Sequence, residues 1–181
     1  MKVERFLFLD IDGVLNTKGY SDYLIDQGQE DTDEDGALFD PDAVDNLATI
    51  IKIVPDAKIL ISSTWRFKGW EWMKEIWEKR KMPGTIYGFT PELEFARFKD
   101  IVTEDYTESV FPNGTRGLEI GEWLRNNRPN FPILHTYAII DDEDDFPSYY
   151  KNNLVLTNPL LGLTAENAID AINLLDPLAP I

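Results

Sequence analysis

The stretch Phe6–Asn16, FLFLDIDGVLN, decides how the rest of the chain is interpreted. In it, an apolar run ends in Asp10 and Asp12, and Gly13 follows directly. A continuous apolar run is typical of a strand that is buried on both faces, as strands of parallel sheets are. Glycine adopts positive φ easily and permits a sharp turn after the two acids. The stretch therefore predicts a buried strand over Arg5–Leu9 with two carboxylates at its carboxyl end.

Apolar runs alternate with amphipathic stretches along the remaining chain. Further strands are predicted at Lys58–Ser62, Ile86–Phe89, Tyr137–Ile140 and Leu154–Leu156, and helices after the N-cap pair Asp40-Pro41, over Trp70–Arg80, over Gly117–Asn127 and after Thr164. The last helix carries the apolar residues Ala168, Ile169, Ile172 and Leu175. Buried strands that alternate with helices predict an α/β fold, a doubly wound and mainly parallel sheet with helices on both faces.

Length and composition limit the possible classes of protein. The 181 residues, 43% of them hydrophobic, suit a single domain over 1–181 with short insertions at about 17–39 and 90–115. The absence of cysteine excludes a disulfide framework and a thiolate metal site. No apolar stretch approaches the roughly 18 residues of a membrane span, and the N-terminus lacks the apolar core of a signal peptide. We therefore expect a soluble, cytoplasmic protein without a membrane partner.

The charge balance argues against one class of partner. The chain has 17 Lys and Arg against 33 Asp and Glu, a net charge of −16. Such a surface repels nucleic acid and anionic membranes at long range, so extended nucleic-acid binding is not expected. A local basic pocket remains compatible with this balance. The sequence does not determine the oligomeric state.

Polar side chains follow three of the predicted strands at the point where each ends. They are Asp10 and Asp12, then Ser62 and Ser63, then Asp141, Asp142 and Asp145. Each group alone has an ordinary explanation, as a turn, a helix cap or a solvated acidic loop. Ligands of open α/β sheets, however, bind outside the carboxyl ends of the strands. Three such ends in one sheet therefore favour a single shared site.

The stretches LDIDGVLN, SSTWR, RGLEIGEWL and IIDDEDD together resemble the motifs of haloacid dehalogenase (HAD) superfamily phosphohydrolases, in the family's order. They are similar in particular to the HAD domain of Swiss Army knife RNA repair-like proteins. The resemblance implies a HAD-like, Rossmann-type sheet in which Asp10 forms an aspartyl-phosphate and Asp12 is the general acid and base. It also implies that Ser62 contacts the phosphoryl group, or Ser63 if the strand is one residue longer. Arg116 would neutralise that group.

Several basic side chains compete for roles at this site. Arg116 stands where the family more often has Lys, and Lys99 is a weaker alternative because no helix start surrounds it. Arg66 and Lys68 follow the second strand directly and are candidates for substrate binding, together with Trp65. The alternative is that these basic residues are only solvated.

The predicted cluster of carboxylates requires a cation. Two unit charges about 4 Å apart repel by roughly 4 kcal/mol at an effective dielectric near 20, and a phosphate dianion adds more. One Arg cannot offset this repulsion, whereas a hard divalent cation can, and oxygen ligands favour Mg²⁺. The expected ligands are Asp10, the backbone carbonyl of Asp12, and Asp141. Asp142 would bind directly or through water, and Asp145 is a further candidate ligand nearby.

A second acidic stretch, Asp31–Asp42 (DTDEDGALFDPD), partly matches a calcium-binding loop. It departs at the twelfth position, which is Asp42 rather than Glu, and Pro41 precedes it. The alternative, a flexible acidic loop over the active site, is favoured. The only histidine, His135, is interpreted as structural.

Together these patterns predict a Mg²⁺-dependent phosphatase that hydrolyses a phosphomonoester on a small molecule, a nucleotide or a nucleic-acid end. Two alternatives are a non-catalytic phospho-aspartate signalling module and a catalytically inactive HAD-like binding protein. In receiver modules, however, the paired acids come first along the chain, and here they come last. A Toprim-like enzyme would need an early Glu and a late Asp-x-Asp, and this chain has the opposite order.

Overall fold

The computed structural model describes residues 3–93, 116–127 and 134–179. The strands in these ranges are β1 (Val3–Leu9), β2 (Thr32–Asp33), β3 (Gly36–Ala37), β4 (Ala57–Ile61), β5 (Ile86–Phe89), β6 (Leu134–Asp141) and β7 (Leu154–Leu156). The α-helices are α1 (Lys18–Asp26), α2 (Pro41–Ile53), α3 (Trp70–Lys79), α4 (Arg116–Asn127) and α5 (Ala165–Leu175). Two 3₁₀ helices span Thr64–Lys68 and Ser148–Asn153.

The central sheet has the strand order β5-β4-β1-β6-β7, and all four pairings are parallel. β1 lies in the middle, and Leu9 pairs with Ile61 of β4 and with Ile140 of β6. The carboxyl ends of these three strands are therefore level. This topology confirms the predicted doubly wound α/β fold.

Each face of the sheet packs against its own hydrophobic cluster. On one face, Leu7 and Leu9 contribute to a cluster that includes side chains of α2, α3 and α5. On the other face, Phe6 and Phe8 pack edge-to-face on Trp123 of α4, with ring centroids 5.0 and 5.5 Å apart. Side chains alternate between the faces of a strand, so β1 is buried on both. This burial explains the continuous apolar run that opens the chain.

The predicted helix caps are confirmed, and several boundaries shift. The side chain of Asp40 accepts a hydrogen bond from the N–H of Asp42, and Thr164 forms a capping box with Asn167. β1, β6 and α4 begin earlier than predicted, at Val3, Leu134 and Arg116. On α5, Ala171 is buried, whereas Ile169 is 43% exposed.

The insertion of residues 17–39 contains α1 and a two-stranded hairpin, β2–β3, whose acidic side chains bind separate partners. Arg80 donates to Asp33 at 2.8 Å, and Lys79 donates to Glu34 at 2.5 Å and to Asp35 at 2.6 Å. A calcium loop needs its carboxylates to converge on one ion. The hairpin carboxylates instead point to two different basic residues at the end of α3, Lys79 and Arg80. The geometry therefore does not fit the calcium-loop alternative.

The second predicted insertion, 90–115, lies mostly outside the described residues, which end at 93 and resume at 116. Lys99 is also outside them. None of the helices in the described ranges is both long and apolar enough to cross a membrane.

Candidate active site

The site lies at the carboxyl ends of β1, β4 and β6, where the hydrogen-bond ladder continues one residue beyond β1 and β4. The N–H of Asp10 donates to the carbonyl of Ile140 at 3.0 Å, and the N–H of Ser62 donates to the carbonyl of Leu9 at 2.9 Å. Asp10, Ser62 and Asp141 therefore occupy equivalent positions in three adjacent strands and form a row across the end of the sheet. By alternation, these positions belong to the face that packs against α4. All three side chains are buried.

Arg116, the first residue of α4, joins the two carboxylates of this row. Its Nη1 donates to Oδ2 of Asp10 and to Oδ2 of Asp141, both at 2.6 Å. The structure thus brings together three residues that the sequence predicted separately for one site. Charge-assisted hydrogen bonds of this length hold the two acids at a common point.

Burial changes the ionisation of this cluster. It raises the pKa of Asp10, with the Arg116 guanidinium opposing the rise. It raises the pKa of Asp141 to about 7, again against Arg116 and with the charge of Asp10 adding to the increase. Burial also raises the pKa of Asp142. The buried carboxylates are therefore destabilised as anions and would be stabilised by additional positive charge.

The donor set fits a hard divalent cation. One carboxylate oxygen from each of Asp10, Asp141 and Asp142 lies within 4.8 Å of the others. Oδ1 of Asp10 is buried and has no hydrogen-bond partner among the described residues. At Gly13, where φ is +68°, an added Cβ would lie 2.2 Å from Oδ2 of Asp142. Glycine at this position therefore leaves the space into which the Asp142 carboxylate reaches.

Asp12 has different surroundings, because its side chain is exposed and lies outside this carboxylate group. Its Oδ1 accepts from Nε1 of Trp65 at 3.0 Å and from Nδ2 of Asn16 at 2.7 Å. The sequence did not indicate these two partners of Asp12. The predicted metal bond from its backbone carbonyl stays a prediction.

The two serines after β4 differ in how their hydroxyls are used. β4 ends at Ile61, so Ser62 is the first residue beyond it, and its buried Oγ has no hydrogen-bond partner among the described residues. The Oγ of Ser63 accepts from the N–H of Trp65 at 3.4 Å as the cap of a 3₁₀ helix. The Ser62 hydroxyl is therefore the more available of the two.

A model of the family described as the HAD domain in Swiss Army Knife RNA repair proteins matches residues 6–168. The chain belongs to this family. The match confirms the resemblance drawn from the four motifs, and it supports a HAD-type phosphohydrolase in general. A search of curated proteins and a search of solved structures each found no match.

In the HAD domain, the two other predicted basic side chains, Arg66 and Lys68, make hydrogen bonds within the protein. Arg66 is buried and donates from Nη2 to Glu119 at 2.8 Å and from Nη1 to the carbonyl of Ser63 at 2.8 Å. Lys68 is exposed and donates to the carbonyl of Asp35 at 3.2 Å. The structure therefore places neither group in the row that contains Asp10, and their roles in substrate binding stay predictions.

One polar residue of the HAD domain was missed in the sequence. Thr90 follows β5, and its N–H donates to the carbonyl of Ile61 at 3.1 Å, which places it beside Ser62 in the row. It is 2% exposed, and its Oγ1 has no hydrogen-bond partner among the described residues. The signal was available, because Thr90 directly follows the predicted strand Ile86–Phe89. The buried Oδ1 of Asp145 likewise has no hydrogen-bond partner among the described residues.

Proposed function

We propose that this HAD domain is a Mg²⁺-dependent phosphatase that hydrolyses a phosphomonoester through an aspartyl-phosphate at Asp10. The observation that carries the proposal is the junction of Asp10 and Asp141 at Arg116, with Asp142 beside them. A nucleophilic carboxylate, a positive charge and a cation-binding group of acids are the components that phosphoryl transfer needs.

Asp10 has one oxygen bound to Arg116 and a second buried oxygen without a hydrogen-bond partner among the described residues. We assign the attack on phosphorus to this carboxylate. The bond from phosphorus to the leaving oxygen breaks, and Asp12 gives that oxygen its proton. Asp12 then takes a proton from the water that attacks the aspartyl-phosphate, which releases inorganic phosphate and regenerates Asp10.

Arg116 and Ser62 would bind the phosphoryl oxygens. Arg116 already lies against the nucleophile, so its charge is close to the position of an incoming phosphate. The Ser62 hydroxyl is buried, has a free donor among the described residues and is next to Asp10 in the row. Both groups are held by the backbone, at the start of α4 and at the end of β4, which limits reorganisation during the reaction.

Asp10, Asp141 and Asp142, with the carbonyl of Asp12, would hold the metal ion. Bound Mg²⁺ would neutralise these acids and the phosphoryl oxygens, so that a carboxylate and a phosphate can approach each other. The raised pKa of Asp141, about 7 because of burial, supports the need for such a charge.

For the substrate, we propose a phosphorylated nucleic-acid end or a nucleotide. The description of the family, a HAD domain in RNA repair proteins, supports this class. The net charge of −16 favours contact with an end rather than with an extended strand. A phosphorylated sugar or other small molecule is the alternative. We expect the reaction to occur in the cytoplasm.

The test measures hydrolysis of an aryl phosphate, followed by a panel of nucleotides and of oligonucleotides with 3′- or 5′-phosphates. We expect turnover with Mg²⁺, none with EDTA, and a loss of at least about a thousandfold in Asp10→Asn with the fold intact. Asp35→Asn, in the hairpin, is the matched control and should keep full activity. Undiminished turnover in Asp10→Asn would refute the proposal. Stable labelling of Asp10 by acetyl phosphate without turnover would instead indicate a phospho-aspartate signalling module.

A further inference from the structure

We propose that Trp65 is a positioning residue for Asp12 and that it links the orientation of this carboxyl to the insertion of residues 17–39. The inference rests on the proposed function, in which Asp12 is the general acid. The side chain of Asp12 is exposed, and the sheet itself does not fix its orientation.

Two donors bind the same oxygen of Asp12. The indole Nε1 of Trp65 lies 3.0 Å from Oδ1, and the amide Nδ2 of Asn16 lies 2.7 Å from it. An exposed carboxyl would otherwise rotate about its Cβ–Cγ bond. Because Oδ1 accepts from two N–H groups, Oδ2 is the oxygen left to face the leaving group. Trp65 and Asn16 together thus determine which oxygen is presented to the leaving group, and only Trp65 also contacts the insertion's Phe39.

Trp65 is itself fixed by its surroundings. It is 9% exposed and packs against Phe39 and Trp72, with ring centroids 5.4 and 5.8 Å away. Its backbone N–H donates to the hydroxyl of Ser63. A buried ring with aromatic contacts has few alternative rotamers, so the N–H that faces Asp12 is held in direction.

The same ring contacts the insertion. Phe39 is the last residue of the insertion, and a Cβ at Gly36 of the hairpin would lie 3.6 Å from Cη2 of Trp65. Cη2 is on the six-membered ring, whereas Nε1 is on the five-membered ring that reaches Asp12. A change in the packing of the insertion therefore moves the indole, and the indole moves the acid.

The first experiment compares two substrates with Trp65→Phe, which keeps an aromatic ring and removes the N–H. Nitrophenolate leaves without protonation, whereas an alkyl oxygen needs the general acid. We expect kcat/KM, which reports phosphoryl transfer to Asp10, to fall about tenfold or more for an alkyl phosphate. For p-nitrophenyl phosphate it should change by less than about threefold. Trp70→Phe, the control, changes a tryptophan that packs on Phe89 rather than on Trp65, and it should affect neither substrate. Equal losses on both substrates would show a packing role only and would overturn the inference.

The second experiment does not depend on activity. In a ¹H–¹⁵N spectrum of the full chain, Trp65→Phe identifies the Trp65 indole resonance among those of the five tryptophans. We expect this resonance to move upfield in Asp12→Ala and to stay in place in Asp22→Ala. An unmoved resonance in Asp12→Ala would show that the hydrogen bond does not exist. If the wild type hydrolysed no phosphoester, the proposed function would fail, and this spectrum would still decide the contact.

A third variant tests the link to the insertion. Phe39→Leu touches the Trp65 ring and not Asp12, so it should give the same substrate-dependent loss with a smaller amplitude. Wild-type ratios of the two kcat/KM values in Phe39→Leu would refute the link.

Discussion

The carboxylates at the end of the sheet and those of the β2–β3 hairpin differ in where they lie and in what they face. Asp10 and Asp141 are buried side by side and share a single Arg116. Asp33 and Asp35 are at or near the surface, and each has a basic partner from the end of α3. Both stretches are dense in Asp in the sequence. Only the first is brought together by strands that are distant along the chain.

The pKa values of the two regions shift in opposite directions. Burial raises the pKa of Asp141 to about 7, despite Arg116. Partial burial also acts on Asp33, but its pKa is lowered because the Asp35 N–H and the Arg80 guanidinium stabilise the carboxylate. Burial therefore outweighs the nearby partners at the sheet end, whereas in the hairpin the partners outweigh partial burial. Charge density in a sequence does not by itself identify a site.

The largest expected effect is on the pH dependence of stability without metal. The pKa of Asp141 is about 7 in the folded state against a model-compound value of 3.8, so the folded state binds the proton more tightly. The contribution of Asp141 to stability is then greatest below about pH 4 and is lost as the pH rises to about 7, a change of roughly a few kcal/mol. Asp141→Asn lacks this titration and should show a flatter curve by urea unfolding in EDTA. Parallel curves for the two proteins would contradict the assignment.

The next largest effect is on Mg²⁺ affinity, which should depend on the acids at the end of the sheet and not on those of the hairpin. Asp141→Asn removes a predicted ligand from the buried group, so its affinity for Mg²⁺ should fall about a hundredfold, or roughly 2.7 kcal/mol. Asp35→Asn removes an acid whose partner is Lys79 and should leave this affinity unchanged. Isothermal titration calorimetry with Mg²⁺ measures both. A similar loss in the two variants would show that the metal responds to overall charge rather than to the site.

The sequence predicted the central strand and most of the residues at the end of the sheet, for physical reasons that can be named. β1 was predicted well because continuous burial on both faces leaves a continuous apolar run. The row of Asp10, Ser62 and Asp141 was predicted because parallel strands end at one edge. Arg116, however, was placed through resemblance to a family motif, since nothing local shows that the start of α4 reaches Asp10.

Other contacts had no local signal. The bond from Trp65 to Asp12 and the buried pair of Arg66 with Glu119 each join residues 53 apart in the chain. They depend on how the segment after β4 packs, which periodicity does not encode. The partners of the hairpin acids were missed for the same reason, because Lys79 lies 44 residues from Asp35.

A smaller effect is expected from two hydroxyls, one in each region. Ser62→Ala should lower kcat/KM by about tenfold, because a phosphoryl contact is lost, and leave the melting temperature unchanged. It loses no hydrogen bond within the described residues. Ser21→Ala should lower the melting temperature and leave kcat/KM unchanged, because its hydroxyl donates to Asp31 at 2.6 Å and has no assigned role in the reaction. Kinetics and thermal melting of both variants make the comparison. A loss of stability without a loss of activity in Ser62→Ala would refute its assigned role.

The smallest effect concerns Asp33 and has the opposite sign to that of Asp141. A lowered pKa means that the folded state favours the carboxylate, so the stabilisation is present above pH 3.8 and is lost as the pH falls through the lowered value. Surface ion pairs contribute little, so Asp33→Asn should lower the melting temperature at pH 7 by no more than about 2 °C. The difference should shrink at low pH and in high salt, because protonation removes the charge of Asp33 and salt screens it. Thermal melts over a pH series measure it. A deficit that grew at low pH would place Asp33 with the buried acids and remove the contrast between the two regions.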